Sequence, residues 1–178
     1  MAVLDVVKVG QPVLKQVAEP VEFVNKKIRQ LLDDMAVTMY TSDGVGLAAP
    51  QVNVSKRIIV VDDGEGLREF INPVIVKGEG CQLGLEGCLS VPGYFGDVKR
   101  YQTIEVQFID RNNKKKKIKA SGFLARIIQH EIDHLDGILF IEKVEAAYEV
   151  KKEEKNPLAE MEAAVAEVAK SESTKVTV

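Results

Sequence analysis

Gln129-His130-Glu131-Ile132-Asp133-His134-Leu135-Asp136-Gly137 holds both histidines of the 178-residue chain, four positions apart, with a glutamate directly after the first. On an α-helix, residues i and i+4 lie one turn apart on the same face, so the two imidazoles can close on one ion. Glu131 is rotated off that face but stays within reach of a water on such an ion, where hydrolysis needs a general base. By itself, His-Glu-x-x-His is also compatible with two ordinary helical histidines, so the rest of the chain carries the decision. Ser121 or Gly122 is placed to open the helix, and Gly137 to close it. Phe123, Ile127, His130 and His134 share one face, and Leu124, Ile128 and Leu135 occupy another. A helix that is apolar on most sides belongs at the centre of a fold.

Working outward, residues 103–108 alternate apolar and polar, which predicts a half-buried strand. Asp110-Arg111-Asn112-Asn113 turns the chain and residues 116–120 return it as a hairpin, with Lys114 to Lys117 at the tip. A charge run on an exposed turn is ordinarily solvated, so RNA contact is not expected there. Residues 57–62 read as a buried strand, and residues 71–76 as another, with Pro73 marking an edge or an irregular start. Ile28, Leu31, Leu32, Met35 and Met39 recur at spacings of three and four. That spacing predicts an amphipathic helix, capped by Asn25 and ending before Ser42. Residues 1–20 read as extended structure and turns.

Composition sets the outer limits. Hydrophobic residues make up 46% of the chain and charged residues 29%, as in an ordinary globular protein. A formal net charge of -3 argues against a dedicated nucleic-acid binder. The longest apolar runs fall well short of the roughly 20 residues a membrane helix needs, and no signal peptide is read at the N-terminus. Cys81 and Cys88 are therefore expected to stay reduced in a cytoplasmic protein. After Val144 the composition shifts to a charge-rich segment. Leu158, Met161, Val165 and Val168 then form a narrow apolar stripe, and a polar end follows. The expected organisation is a catalytic domain over 1–144 and a C-terminal extension over 145–178 with no assigned role.

Two histidines need a third protein ligand. Zinc proteases of this pattern use a third histidine or a downstream glutamate. Phe140 stands in the place of the third histidine, while Glu153 and Glu154 lie at the glutamate distance in a lysine-rich run. The competing ligand is Cys88, within Gly84-Leu85-Glu86-Gly87-Cys88-Leu89-Ser90-Val91-Pro92-Gly93, a stretch whose glycines predict a constrained loop rather than a regular element. A His₂Cys set leaves one position open for water, as a catalytic site requires, and Cys81 could close it only if its loop folded back. Ser42-Asp43-Gly44-Val45-Gly46-Leu47-Ala48-Ala49-Pro50-Gln51 fails both phosphate-loop patterns. It reads either as an ordinary tight turn or as the wall of a site, with Gln51 offering a side-chain amide.

Three of these segments together resemble the peptide deformylases: Gly44 to Gln51, Glu86-Gly87-Cys88-Leu89-Ser90, and His130 to Gly137. Their order and spacing match as well, over about residues 3–144. The resemblance implies an α+β fold, with antiparallel β-sheets packed around a central metal-binding helix and an N-terminal amphipathic helix. It implies hydrolytic removal of the formyl group from nascent peptides that begin with formylmethionine, near the ribosome. Cys88, His130 and His134 would hold one divalent ion, ferrous iron in most members, with zinc, nickel or cobalt as substitutes. Glu131 would be the general base, and the Gln51 amide and the Leu89 backbone N–H would meet the developing oxyanion. Val45, Gly46, Glu86, Gly87, Phe123 and Ile127 would surround the substrate, with Glu86 also paired to Arg100 to brace the cysteine. Leu85 departs from an acidic residue common in the family, and Arg126 has no evident task among the pocket positions. Both departures bear on substrate preference rather than on the reaction.

Overall fold

The histidine helix forms where the sequence predicts it. In the computed structural model, which describes residues 1–149, it spans Gly122–Leu135 (α2) and is buried from Ala125 to Leu135. Ser121 occupies the N-cap with extended backbone, and Gly137 closes the other end with φ +72°. The amphipathic helix spans Lys26–Thr41 (α1), and Asn25 Oδ1 accepts a hydrogen bond from Ile28 N at 3.1 Å, as a cap should.

The strands are β1 (Gly46–Ala48), β2 (Ile58–Val61), β3 (Arg68–Glu79), β4 (Gln82–Cys88), β5 (Val91–Arg100), β6 (Thr103–Ile109), β7 (Lys115–Ser121) and β8 (Val144–Glu149). They form two antiparallel sheets, one in the order β1-β2-β3-β6-β7 and one in the order β4-β5-β8. The larger sheet is covered on both faces. Ile59, Val61, Phe70, Ile104 and Val106 pack with Ile127, Ile128, Ile132 and Leu135 of α2. Ile58, Val60 and Ile71 pack with Leu32, Met35 and Met39 of α1. Burial on both faces explains why β2 is a continuous Ile-Ile-Val-Val run rather than an alternating one. A third cluster, Leu14, Val91, Val98, Leu139 and Phe140, lies under the smaller sheet with Cys88 packed against it.

Several expectations change. Cys88 does not sit in a loop: it is the last residue of β4, at a register shift before the Leu89-Ser90 turn into β5. The glycines that suggested a loop are points of close approach within a strand. A Cβ on Gly87 would stand 2.7 Å from the Phe95 ring, and one on Gly84 would stand 3.0 Å from the Arg126 guanidinium. Pro73 marks an irregularity and not an edge, because β3 runs between β2 and β6 with a register shift from Ile71 to Val74. Of the four lysines, only Lys114 belongs to the hairpin turn. Lys115 to Lys117 are already paired with β6.

The smaller sheet continues past residue 144, since β8 pairs with β5 from Val98↔Val144 to Tyr94↔Glu149. The stripe expected from Leu158 to Val168, and Glu153 and Glu154, lie outside the described residues. Among the described residues no helix is long and apolar enough to cross a membrane, and both cysteines are free thiols.

Candidate metal centre

The end of β4 is brought against the middle of α2, and this meeting builds the site. One ligand atom from each of Cys88, His130 and His134 falls within a cluster no wider than 4.8 Å, with Cys88 Sγ 3.3 Å from His134 Nε2. Bonds of roughly 2.0–2.3 Å to a shared ion require such convergence. A soft thiolate with two imidazoles suits a divalent transition metal, and three protein ligands leave a position for water. Phe140, where a zinc protease of this pattern would place its third histidine, instead stacks on His130 with ring centroids 5.9 Å apart.

Glu131 supports the same reading independently. It is buried, and its Oε2 has no hydrogen-bond partner among the described residues, an arrangement that is costly for a carboxylate unless a donor occupies the site. Burial pushes the Glu131 carboxyl up to about 7, with the nearby His130 pulling the other way. Gly46 lies directly over this carboxylate. A Cβ there would overlap Glu131 Oε1 and stand 2.8 Å from Ile127 Cγ2, so only glycine fits.

His130 is held from behind. Its Nδ1 lies 2.8 Å from Glu86 Oε2, and Glu86 receives Arg100 Nε at Oε1 (2.8 Å) and Arg100 Nη2 at Oε2 (2.9 Å). Burial alone would raise the Glu86 carboxyl, but the bonds from Arg100 and His130 outweigh it and bring it down to about 2. Burial works against the charged form of His130, yet its bonds to Cys88 and Glu86 raise it to about 10. Burial and the neighbouring His130 hold His134 well below the ordinary histidine range. A proton at His130 competes for the nitrogen that an ion would take.

The Gln51 amide faces Cys88. Its Oε1 accepts from Ala48 N at 2.9 Å, which turns Nε2 towards Ser90 Oγ (3.2 Å) and Cys88 Sγ (3.5 Å). Leu89 follows Cys88 into the turn, where its carbonyl accepts from Lys8 Nζ at 2.9 Å. Gln51, Leu89, Val45, Gly46, Glu86, Gly87, Phe123 and Ile127 all line one cleft of about 520 Å³ whose floor holds His130 and Glu131. Its floor is buried at Ile127, and its mouth is open at Val45, Phe123 and Leu85, which are 44%, 54% and 59% exposed.

Four residues in this arrangement were not assigned from the sequence. Ser90 partners Gln51, Lys8 fixes the Leu89 carbonyl, and Asp133 joins Arg100 Nη1 (2.5 Å) to Lys143 Nζ (2.9 Å). Arg126 is the fourth. The available signal was a charged residue one turn before His130, among the apolar residues that open the helix.

Comparison with known proteins agrees with this geometry. The family model described as polypeptide deformylase matches residues 3–150. A peptide deformylase of Pelotomaculum thermopropionicum is 59% identical over 143 residues, covering 80% of this chain and 92% of the relative. One from Symbiobacterium thermophilum is 56% identical over 171 residues, covering 94% of this chain and 77% of the relative, so that likeness reaches past residue 150. The crystal structure of a class I type b peptide deformylase from Acinetobacter baumannii, bound to Met-Ala-Ser, superposes with a TM-score of 0.77 at 39% identity. It covers 80% of this chain and 99% of that one. With the family pattern spanning most of the chain and Cys88, His130 and His134 converging in space, the chain belongs to the polypeptide deformylase family.

Proposed function

We propose that Glu131, Gln51 and Leu89, around an ion held by Cys88, His130 and His134, carry the reaction of this peptide deformylase. That reaction is hydrolysis of the N-terminal formyl amide of formylmethionyl polypeptides, with release of formate. The observation that carries the reading is the buried Glu131 Oε2, without a hydrogen-bond partner among the described residues, in the cleft that Cys88 and His130 of the three-donor cluster also line. When bound, the divalent ion supplies a Lewis acid that makes hydroxide available near neutral pH, and ferrous iron is the ion we assign, with zinc, nickel or cobalt as substitutes.

The chain's own residues do the rest. Glu131 accepts the proton of the attacking water, a task its buried carboxylate at the floor of the cleft is placed to perform. As the formyl carbon gains its new oxygen, negative charge grows on the formyl oxygen. Gln51 Nε2 and the Leu89 N–H donate to it, and one such donor contributes roughly 3 kcal/mol in comparable sites. The C–N bond then breaks, and Glu131 returns its proton to the leaving amine, so formate and a free N-terminus are the products. Val45, Phe123 and Ile127 form an apolar wall suited to a methionine side chain, and Gly46 and Gly87 line the same cleft. Glu86 backs His130 from the same cleft.

The substrates are formylated nascent chains, met near the ribosome in the cytoplasm. Residues 1–144 hold every residue assigned a role in this reading, and the extension assigned to 145–178 begins within β8, which pairs with β5 as far as Glu149. The test is an anaerobic assay of the iron-loaded protein on formyl-methionyl peptides. Formate release is expected, and its absence from a fully loaded protein would overturn the reading.

A further inference from the structure

The Glu86 carboxylate is approached by two arginines, and only one of them is needed to neutralise it. Arg100 already binds both of its oxygens. Arg126 adds a bond from Nη1 to Glu86 Oε1 at 2.8 Å, and its side chain is only 7% exposed. The same guanidinium also reaches three backbone carbonyls: Val98 (3.0 Å) and Gly84 (3.2 Å) through Nη1, and Gln82 (3.3 Å) through Nη2. Those carbonyls belong to β4 and β5, whereas Arg126 belongs to α2. Arg126 therefore ties the helix that carries both histidines to the strand that ends in Cys88.

The division of the Glu86 oxygens gives this tie a consequence. Oε1 takes Arg100 Nε and Arg126 Nη1, while Oε2 takes Arg100 Nη2 and His130 Nδ1. With Oε1 held by two donors on different elements, the carboxylate cannot turn, and Oε2 stays in line with the imidazole. A hydrogen bond at Nδ1 sets the tautomer and the ring orientation, and so aims the Nε2 lone pair. His134 has no such support, because its Nδ1 is buried without a hydrogen-bond partner among the described residues. One imidazole is braced at Nδ1 by a carboxylate, and the other meets the Cys88 thiol through its Nε2.

Gly84 is matched to this arrangement. A Cβ there would stand 3.0 Å from Arg126 Nη2 and 3.1 Å from Cζ and Nε, so the guanidinium lies flat on the bare backbone. We propose that Arg126 is a positioning residue of the site: its guanidinium locks the Glu86 carboxylate against the β4–β5 hairpin and thereby fixes the ring of His130 relative to Cys88. The proposal rests on the reading of Cys88, His130 and His134 as the ligands of one ion.

Cobalt(II) is the probe, because its thiolate charge-transfer and ligand-field bands report ligand geometry without turnover. Unaltered protein should show these bands, and Cys88→Ala should lose them. Failure of that control would overturn the ligand reading itself, and the proposal with it. Given the control, Arg126→Met, which keeps the stem along the cleft, should shift the ligand-field bands and weaken cobalt binding about tenfold to a hundredfold. In the same variant kcat should fall while KM for a formyl-methionyl peptide stays within about twofold, the pattern of lost transition-state support. Arg126→Lys should not rescue, because one ammonium cannot span a carboxylate and three carbonyls as a planar fork does. Unaltered bands and cobalt affinity in Arg126→Met, with only a lower Tm, would reduce Arg126 to a structural tie and overturn the proposal. Full recovery in Arg126→Lys would overturn it as well. If Arg126→Met does not fold, Gly84→Ala decides alone, since it displaces the guanidinium and keeps its charge. Shifted bands with weaker cobalt binding support the proposal, and unaltered bands sink it.

Discussion

At the scale of single residues, Glu131 separates a catalytic centre from a structural one. Its carboxyl stands outside the ligand cluster, so Glu131→Ala should leave metal content unchanged while kcat falls about 10²–10⁴-fold, the usual contribution of a positioned acid–base group. Metal analysis alongside formate release checks both halves. Loss of the ion together with activity would make Glu131 a ligand instead. Gly46 gives a second, independent measurement. Because a Cβ there would press on the Glu131 carboxylate and on Ile127, Gly46→Ala should depress kcat strongly with the ion retained. Steady-state kinetics at wild-type rates would show that the carboxylate can shift without cost. The sequence marked Gly46 and Glu131 separately, as a turn glycine and a helix residue. Their mutual dependence was invisible, since no local pattern reports which side chain lies above a glycine.

At the scale of elements, α1 and α2 were the most legible parts of the chain. Helical periodicity is a local property, and the Asn25 cap and the terminal Gly137 are local signals too. Asn25→Ala should lower stability by about 1 kcal/mol through loss of the bond to Ile28 N, as read from urea unfolding, with kcat unaffected. A change near zero would mean that tertiary packing alone sets the start of α1. The β4–β5 hairpin was the least legible. Glycine is the same local signal whether it permits a turn or admits a ring from above, so Gly84 and Gly87 read as loop residues. What decides between these is the group lying over each glycine, Phe95 of the paired strand over Gly87 and Arg126 of α2 over Gly84.

At the scale of the whole molecule, Cys88, His130 and His134 converge where the β4–β5 hairpin meets α2, so an ion held there should act as a clasp. A ligand that binds only the native state stabilises by RT ln(1 + [L]/Kd), so chelation should lower Tm and stoichiometric metal should restore it. Calorimetry on loaded and stripped protein measures this. The choice of ion is testable in the same way. Ferrous iron beside the Cys88 thiolate exposes two oxidisable centres in one site, so the iron form should lose activity in air while a nickel form persists. Equal decay of both forms would count against iron as the assigned ion.

By itself the sequence determined the amphipathic helix, the central helix with its paired histidines, the buried strand at Ile58–Val61 and the three segments that resemble the peptide deformylases. These follow from periodicity and spacing within a few residues, which a linear reading contains. Tertiary structure decided that Cys88 ends a strand, that Glu86 serves two arginines and a histidine, and that Arg126 bridges helix and hairpin. Each of these depends on contacts between different elements, from the 14 residues that separate Glu86 and Arg100 to the 44 that separate Glu86 and His130, and their partners are set by packing rather than by neighbouring sequence.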